Sequence, residues 1–111
     1  MQTVNILGTE YTISVEPSAK NPKLTEVIGY CDCSNKTIVV ADMLSESSDV
    51  MDVANKEEVM KKILRHEIVH AMLNESGLQE NSDWARNEEM VDWIAIQFPK
   101  LLKVFEEVCT L

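Results

Sequence analysis

The segment Ile63-Leu64-Arg65-His66-Glu67-Ile68-Val69-His70-Ala71-Met72-Leu73 carries both histidines of the chain, four residues apart. On a helix, positions i and i+4 lie on one face with their Cβ atoms about 5–6 Å apart. Two imidazoles so placed can converge on one zinc ion, each at about 2.0–2.1 Å. Glu67 stands beside the first histidine, where its carboxylate reaches a water on the metal rather than the metal itself. This is the H-E-x-x-H arrangement of metal-assisted hydrolysis. The flanks argue against surface decoration, because Ile63, Leu64, Ile68, Val69, Met72 and Leu73 make the segment apolar on most sides. It reads as a buried central helix. Polar groups set into such a helix are costly unless something satisfies them, and a metal does so.

Outward from the motif, Asn55 is a candidate N-cap with Glu58 as capping-box partner, and the helix should run to about Ser76, closed by Gly77. Upstream, Thr37–Ala41 is β-rich and pairs in a predicted hairpin with Tyr30–Cys33 across Ser34-Asn35-Lys36. Residues 3–15 predict another hairpin: Val4–Leu7, a turn at Gly8-Thr9-Glu10, then Tyr11–Val15. Pro17–Pro22 is a connector, and the polar, acidic run Asp42–Asp52 reads as a surface loop. Downstream, Leu78–Asp83 reads as a loop whose Ser82 or Asp83 caps a helix from Trp84 to about Gln97. Pro99 should interrupt or kink that helix before a last helical stretch, Lys100–Val108. Trp93 reads as core and Trp84 as a helix-entry staple. Strands first and helices after make the class α+β, a single domain over residues 1–111.

A catalytic zinc site needs three protein ligands and an open position. No third histidine exists, so a three-histidine site is excluded. A carboxylate from the next helix is the better candidate. Glu88 lies 18 residues past His70, enough for a helix end, a loop and one turn of an antiparallel return helix. Glu89 is its rival, about 100° around the helix. Asp92, one turn beyond Glu88, is placed to accept a hydrogen bond from a ligand histidine and so orient its ring.

The whole chain bounds these readings. Its 111 residues suit one core, and 45 % hydrophobic with 26 % charged residues is ordinary for a globular protein. The net charge of −9, from 19 acidic and 10 basic side chains, argues against nucleic acid or an anionic membrane as partner. No stretch approaches the ~20 apolar residues of a membrane span, and Met1–Asn5 opens no basic-then-apolar leader. Cys31, Cys33 and Cys109 have no disulfide-framework spacing and read as reduced thiols of a cytoplasmic protein.

His66-Glu67-Ile68-Val69-His70 followed by Asn87-Glu88-Glu89-Met90-Val91-Asp92 resembles the gluzincin pattern, H-E-x-x-H and then N-E-x-x-x-D. Over roughly residues 37–99 the layout is similar to small zincin-like metallopeptidases of phages and mobile elements, relatives of the enzymes that cleave phage-type repressors. Glu88 to Ala95 is similar to the E-x-x-A-D/N-x-F-A-like stretch of that group. The resemblance implies a minimal zincin-like fold, in which a small antiparallel or mixed sheet packs on the active-site helix and a C-terminal helix follows. It implies a zinc peptidase acting on a protein or peptide substrate, with His66, His70 and Glu88 on Zn²⁺ and Glu67 as general base. Tyr30, Arg65 and Arg86 are the residues at hand to steady an oxyanion. Thr37–Ala41 is the strand expected to pair with extended substrate. The competing expectation is a catalytically silent binding or regulatory module on the same scaffold, which the small size favours.

Overall fold

A computed structural model describes residues 1–45 and 55–111. The elements follow in the order β1 (Gln2–Ile6), β2 (Thr9–Glu16), β3 (Gly29–Asp32), β4 (Thr37–Ala41), α1 (Lys56–Glu75), α2 (Leu78–Asn81) and α3 (Glu88–Glu107), with 3₁₀ turns at Pro22–Thr25 and Asp83–Arg86. The class is α+β: among the described residues, a four-stranded mixed sheet and three helices.

The sheet order is β1-β2-β4-β3. β1/β2 and β3/β4 are antiparallel, and the two hairpins join through a parallel β2/β4 ladder in which Ile13 pairs with Ile38. In the first hairpin Ile6 pairs with Thr9, so the loop is Leu7-Gly8 alone and not the expected Gly8-Thr9-Glu10. Both loop residues have positive φ (49° and 94°), the two-residue geometry whose twist matches that of the flanking strands. Asn5 closes it by accepting a hydrogen bond from the Gly8 N–H.

β4 sits inside the sheet, paired on both sides. Thr37–Ala41 is therefore not the open edge, and the edge on that side is β3. Sequence carried the signal. Ile38-Val39-Val40-Ala41 is apolar without alternation, as strands buried on both faces are, whereas Gly29-Tyr30-Cys31-Asp32 is short and polar-ended, as edges are.

α1 lies on one face of the sheet, packing Leu64, Ile68 and Ala71 against Ile6, Tyr11, Ile13 and Ile38. On the other face Leu24 covers Val39 and Ala41. α3 packs on α1 through Val91, which meets Leu73 and Ala85. α1 thus touches both the sheet and α3, as a central helix should, although Met72 is exposed. Its end is tied to the sheet by Glu75, which accepts from the hydroxyls of Thr9 (2.8 Å) and Tyr11 (2.6 Å) and pairs with Lys36 (2.7 Å). Those donors, the Lys36 ammonium foremost, hold the Glu75 carboxyl well down, at about 2. Burial foremost pushes the Tyr11 hydroxyl up.

Because the folded value for Glu75 lies below the ordinary 4.5, its contribution is complete above about pH 5 and is lost as pH falls from there toward 2. Melting temperatures of the wild type and Glu75→Gln should therefore differ by a constant amount from pH 5 to 8 and converge below pH 4.5. A gap independent of pH would assign the role of Glu75 to shape rather than charge.

The remaining boundaries depart from sequence expectation in definite ways. Asn55 precedes α1 in a left-handed conformation (φ 57°) and its side chain makes no cap hydrogen bond, so no capping box forms. The helix ends as expected, with Gly77 at φ +83°. Leu78–Asn81 is a helical turn rather than loop, and α3 begins at Glu88, not Trp84. The cap is Asn87, whose side chain accepts from the Met90 N–H at 2.8 Å. Trp84 and Trp93 are both exposed, so Trp93 is not core. The expected loop after Asp42 lies, from residue 46 on, outside the described residues.

α3 also runs through Pro99 without a break. Proline has no N–H, so the carbonyl four residues earlier, that of Ala95, loses its helical partner. Arg65 supplies one: its Nε donates to the Ala95 carbonyl at 2.6 Å. The helix expected to break is instead held by a guanidinium from its neighbour.

Candidate metal centre

The two histidines project from the middle of α1 toward the first turn of α3. Their Nε2 atoms are 3.2 Å apart and their rings meet edge to face, with centroids 4.9 Å apart. Glu88, at the N-terminal turn of α3 where the helix dipole favours a carboxylate, reaches both: 2.9 Å to His66 Nε2 and 3.1 Å to His70 Nε2. Because Asn87 rather than Ser82 starts the helix, Glu88 is its first residue and faces back across α1. Glu89 lies on another side of α3, beside Trp84, Met90 and Trp93.

Asp92, one turn on, accepts from His66 Nδ1 at 3.2 Å. That bond places the proton of a neutral His66 on Nδ1 and leaves the Nε2 lone pair facing a carboxylate oxygen and the other imidazole nitrogen. With His70 in the same tautomer, the three acceptors face one another, an arrangement that a shared cation turns into coordination. Donors about 2.0–2.1 Å from a zinc at tetrahedral angles stand about 3.3 Å from each other, which the observed 2.9–3.2 Å separations approach. The set fits: His66, His70 and Glu88 form a group that could hold a metal ion.

These residues open into a cleft of about 650 Å³ between α1, α3 and the β3 edge. Glu67 lines it too, although the residue is only 8 % exposed. Burial raises its carboxyl above the ordinary carboxylate range, against the opposing pull of His66 and His70. Gly29, opening β3, lets the strand pass close above it. A Cβ there would come within 2.7 Å of Ile63 Cγ2 and 3.6 Å of Glu67 Cγ, so glycine permits the close approach of strand to helix.

Of the residues weighed for an oxyanion, Arg65 is engaged with Ala95 and Arg86 with Gln79 and Asp83, each away from the metal group. Tyr30 borders the cleft, but its side chain packs with Leu24, Val39 and Ala41 on the sheet face away from α1, and its hydroxyl accepts from Asn21 there. Sequence reasoning missed the part of the cleft wall made by Glu26 to Ile28, and the lining residues Lys62 and Gln79. Only the strand order brings that wall into place, and no local pattern announces it. Among the described residues no helix is long and apolar enough to cross a membrane.

Comparison with protein-family models, with curated proteins and with solved structures finds no match to this chain. The functional reading therefore stands on the site itself.

Proposed function

We propose that this chain is a zinc-dependent metallopeptidase, with His66, His70 and Glu88 as the ligands and Glu67 as general base. One observation carries the reading: three donors converge at contact distance while a buried carboxylate outside that set shares their cleft. A purely structural zinc site closes with four ligands and has no use for a base. Bound there, zinc supplies a Lewis acid that acidifies water and polarises a carbonyl.

The chain's own residues do the rest. Glu67 takes a proton from the attacking water and delivers it to the leaving amine nitrogen, so that hydroxide ends on the acyl carbon and hydrogen on the amine. Asp92 holds His66 in the tautomer that keeps Nε2 free. β3 offers its unpaired edge beside the cleft, and an extended peptide can add there as a further strand. Its main-chain bonds would align the scissile carbonyl with Glu67, in place of the Thr37–Ala41 strand expected from sequence.

Elemental analysis of purified wild type, Glu88→Ala and Glu89→Ala tests the ligand set. About one zinc per chain is expected in the wild type and in Glu89→Ala, and a loss of most of it in Glu88→Ala. Loss confined to Glu89→Ala would move the ligand and rotate α3. Zinc in none of the three, after reconstitution, would remove the peptidase reading and favour the binding module.

A further inference from the structure

α3 carries a second pattern that the metal group does not use. Val91, Ile94, Phe98, Leu101, Phe105 and Val108 are spaced 3-4-3-4-3, the a/d repeat of a coiled-coil seam. The first half of the seam is spent inside the chain, where Val91 and, beside the seam, Ala95 are buried near α1. The second half continues the same stripe without a partner among the described residues. Phe98 is 49 % exposed, Leu101 40 % and Val108 62 %, and the flanking Leu102 and Val104 are exposed as well.

In a chain of net charge −9, none of the seam or flanking positions from Met90 to Cys109 is charged. Lys100, Lys103, Glu106 and Glu107 all sit on the outer side of the helix. We infer that this C-terminal half of α3 pairs with the same segment of a second copy, antiparallel, to form a two-fold dimer.

Three features select that occupant. The first is register: with the axis at the height of Lys103, Phe98 of each copy stacks on Val108 of the other, and Leu101 on Phe105. These are the a-to-d layers of an antiparallel seam, and one surface serves both copies, as an isologous interface requires. Charge is the second. The same register brings Lys100 of each copy level with Glu106 of the other and leaves only Lys103 level with its own duplicate, whereas a parallel alignment sets Lys100, Lys103, Glu106 and Glu107 all level with their own duplicates. The third is area: the exposed apolar side chains amount to on the order of 500 Å² per copy, so a pair buries on the order of 1,000 Å², where specific interfaces begin. Such a pair is reversible, with a dissociation constant on the order of micromolar. Glu88 lies 15 residues from the axis, so the two metal groups stand about 45 Å apart along the pair with both clefts open.

Sedimentation velocity of the full chain across the micromolar range should show monomer passing to dimer. Leu101→Glu and Val108→Glu replace exposed residues, so circular dichroism should stay unchanged while dimerisation weakens by about tenfold or more. Orientation is read by crosslinking. In the antiparallel register two Val104 side chains flank the axis, whereas two native Cys109 side chains lie about 18 Å apart. Under mild oxidation Val104→Cys in a Cys109→Ser background should therefore form a covalent dimer, and the native chain should not. A chain monomeric to high micromolar concentration, or a dimer indifferent to both glutamate variants, would overturn the inference. Crosslinking through native Cys109 would replace the antiparallel arrangement with a parallel one.

Discussion

Glu67→Gln should lower peptide hydrolysis by about 10²–10⁴-fold while leaving about one zinc per chain. Glutamine nearly matches glutamate in volume, so the packing of this 8 %-exposed side chain beneath Gly29 is kept. The amide cannot take a proton, and the step that moves hydrogen from water to the leaving amine loses its carrier. The proposed ligand atoms belong to other residues, so elemental analysis should read the same for both proteins. Stability is the control. The substitution removes a carboxyl that burial disfavours in its charged form, so the melting temperature should not fall. Turnover equal to wild type would remove Glu67 from the chemistry. Loss of zinc instead would make it a ligand and reopen the question of which residue acts as base.

The second large effect concerns stability. Arg65→Met should destabilise the fold by about 1–3 kcal/mol, because the Ala95 carbonyl is left with neither a helical nor a guanidinium donor. Methionine keeps most of the aliphatic stem, so the loss reports the hydrogen bond. The decisive comparison is made in Pro99→Ala. There residue 99 regains its N–H and can bond Ala95 as any helical residue does, so Arg65→Met should cost much less. Denaturant unfolding of the four proteins gives the coupling directly. An equal cost in both backgrounds would mean that Arg65 acts through packing, and that the proline is tolerated for another reason.

These two positions show what the sequence could and could not say. The spacing of His66 and His70 fixes one helix face that could hold a metal ion, because the helical period is local physics. Asp92, one turn beyond Glu88, was equally local and lies beside His66, whereas the cap that starts the return helix is Asn87 and not the expected Ser82 or Asp83. Legibility stopped where a local cost is met by a distant partner. Pro99 reads as a break until Arg65, thirty-four residues earlier, is seen to replace the missing donor. Thr37–Ala41, expected to pair with substrate, is enclosed by the parallel ladder with β2, whose partner strand lies more than twenty residues earlier. Trp93 reads as core because aromatic residues usually are, yet α3 turns it to solvent. For Pro99 and Thr37–Ala41 the deciding neighbour came from another element, while for Trp93 residue type alone pointed the wrong way.

The ladder that encloses β4 also bears on how the chain reaches its native state. Each hairpin closes over a few residues, so each can form within microseconds and independently of the other. Their junction is different: Thr12 meets Thr37 and Glu16 meets Ala41 only after the intervening chain has looped back on itself. That closure spends chain entropy before any contact repays it, and α1 then docks across both halves. The rate-limiting event should thus be the joining of two ready-made ribbons rather than the formation of either. The cleft beside β3, which exists only once they are joined, would be among the last features to appear.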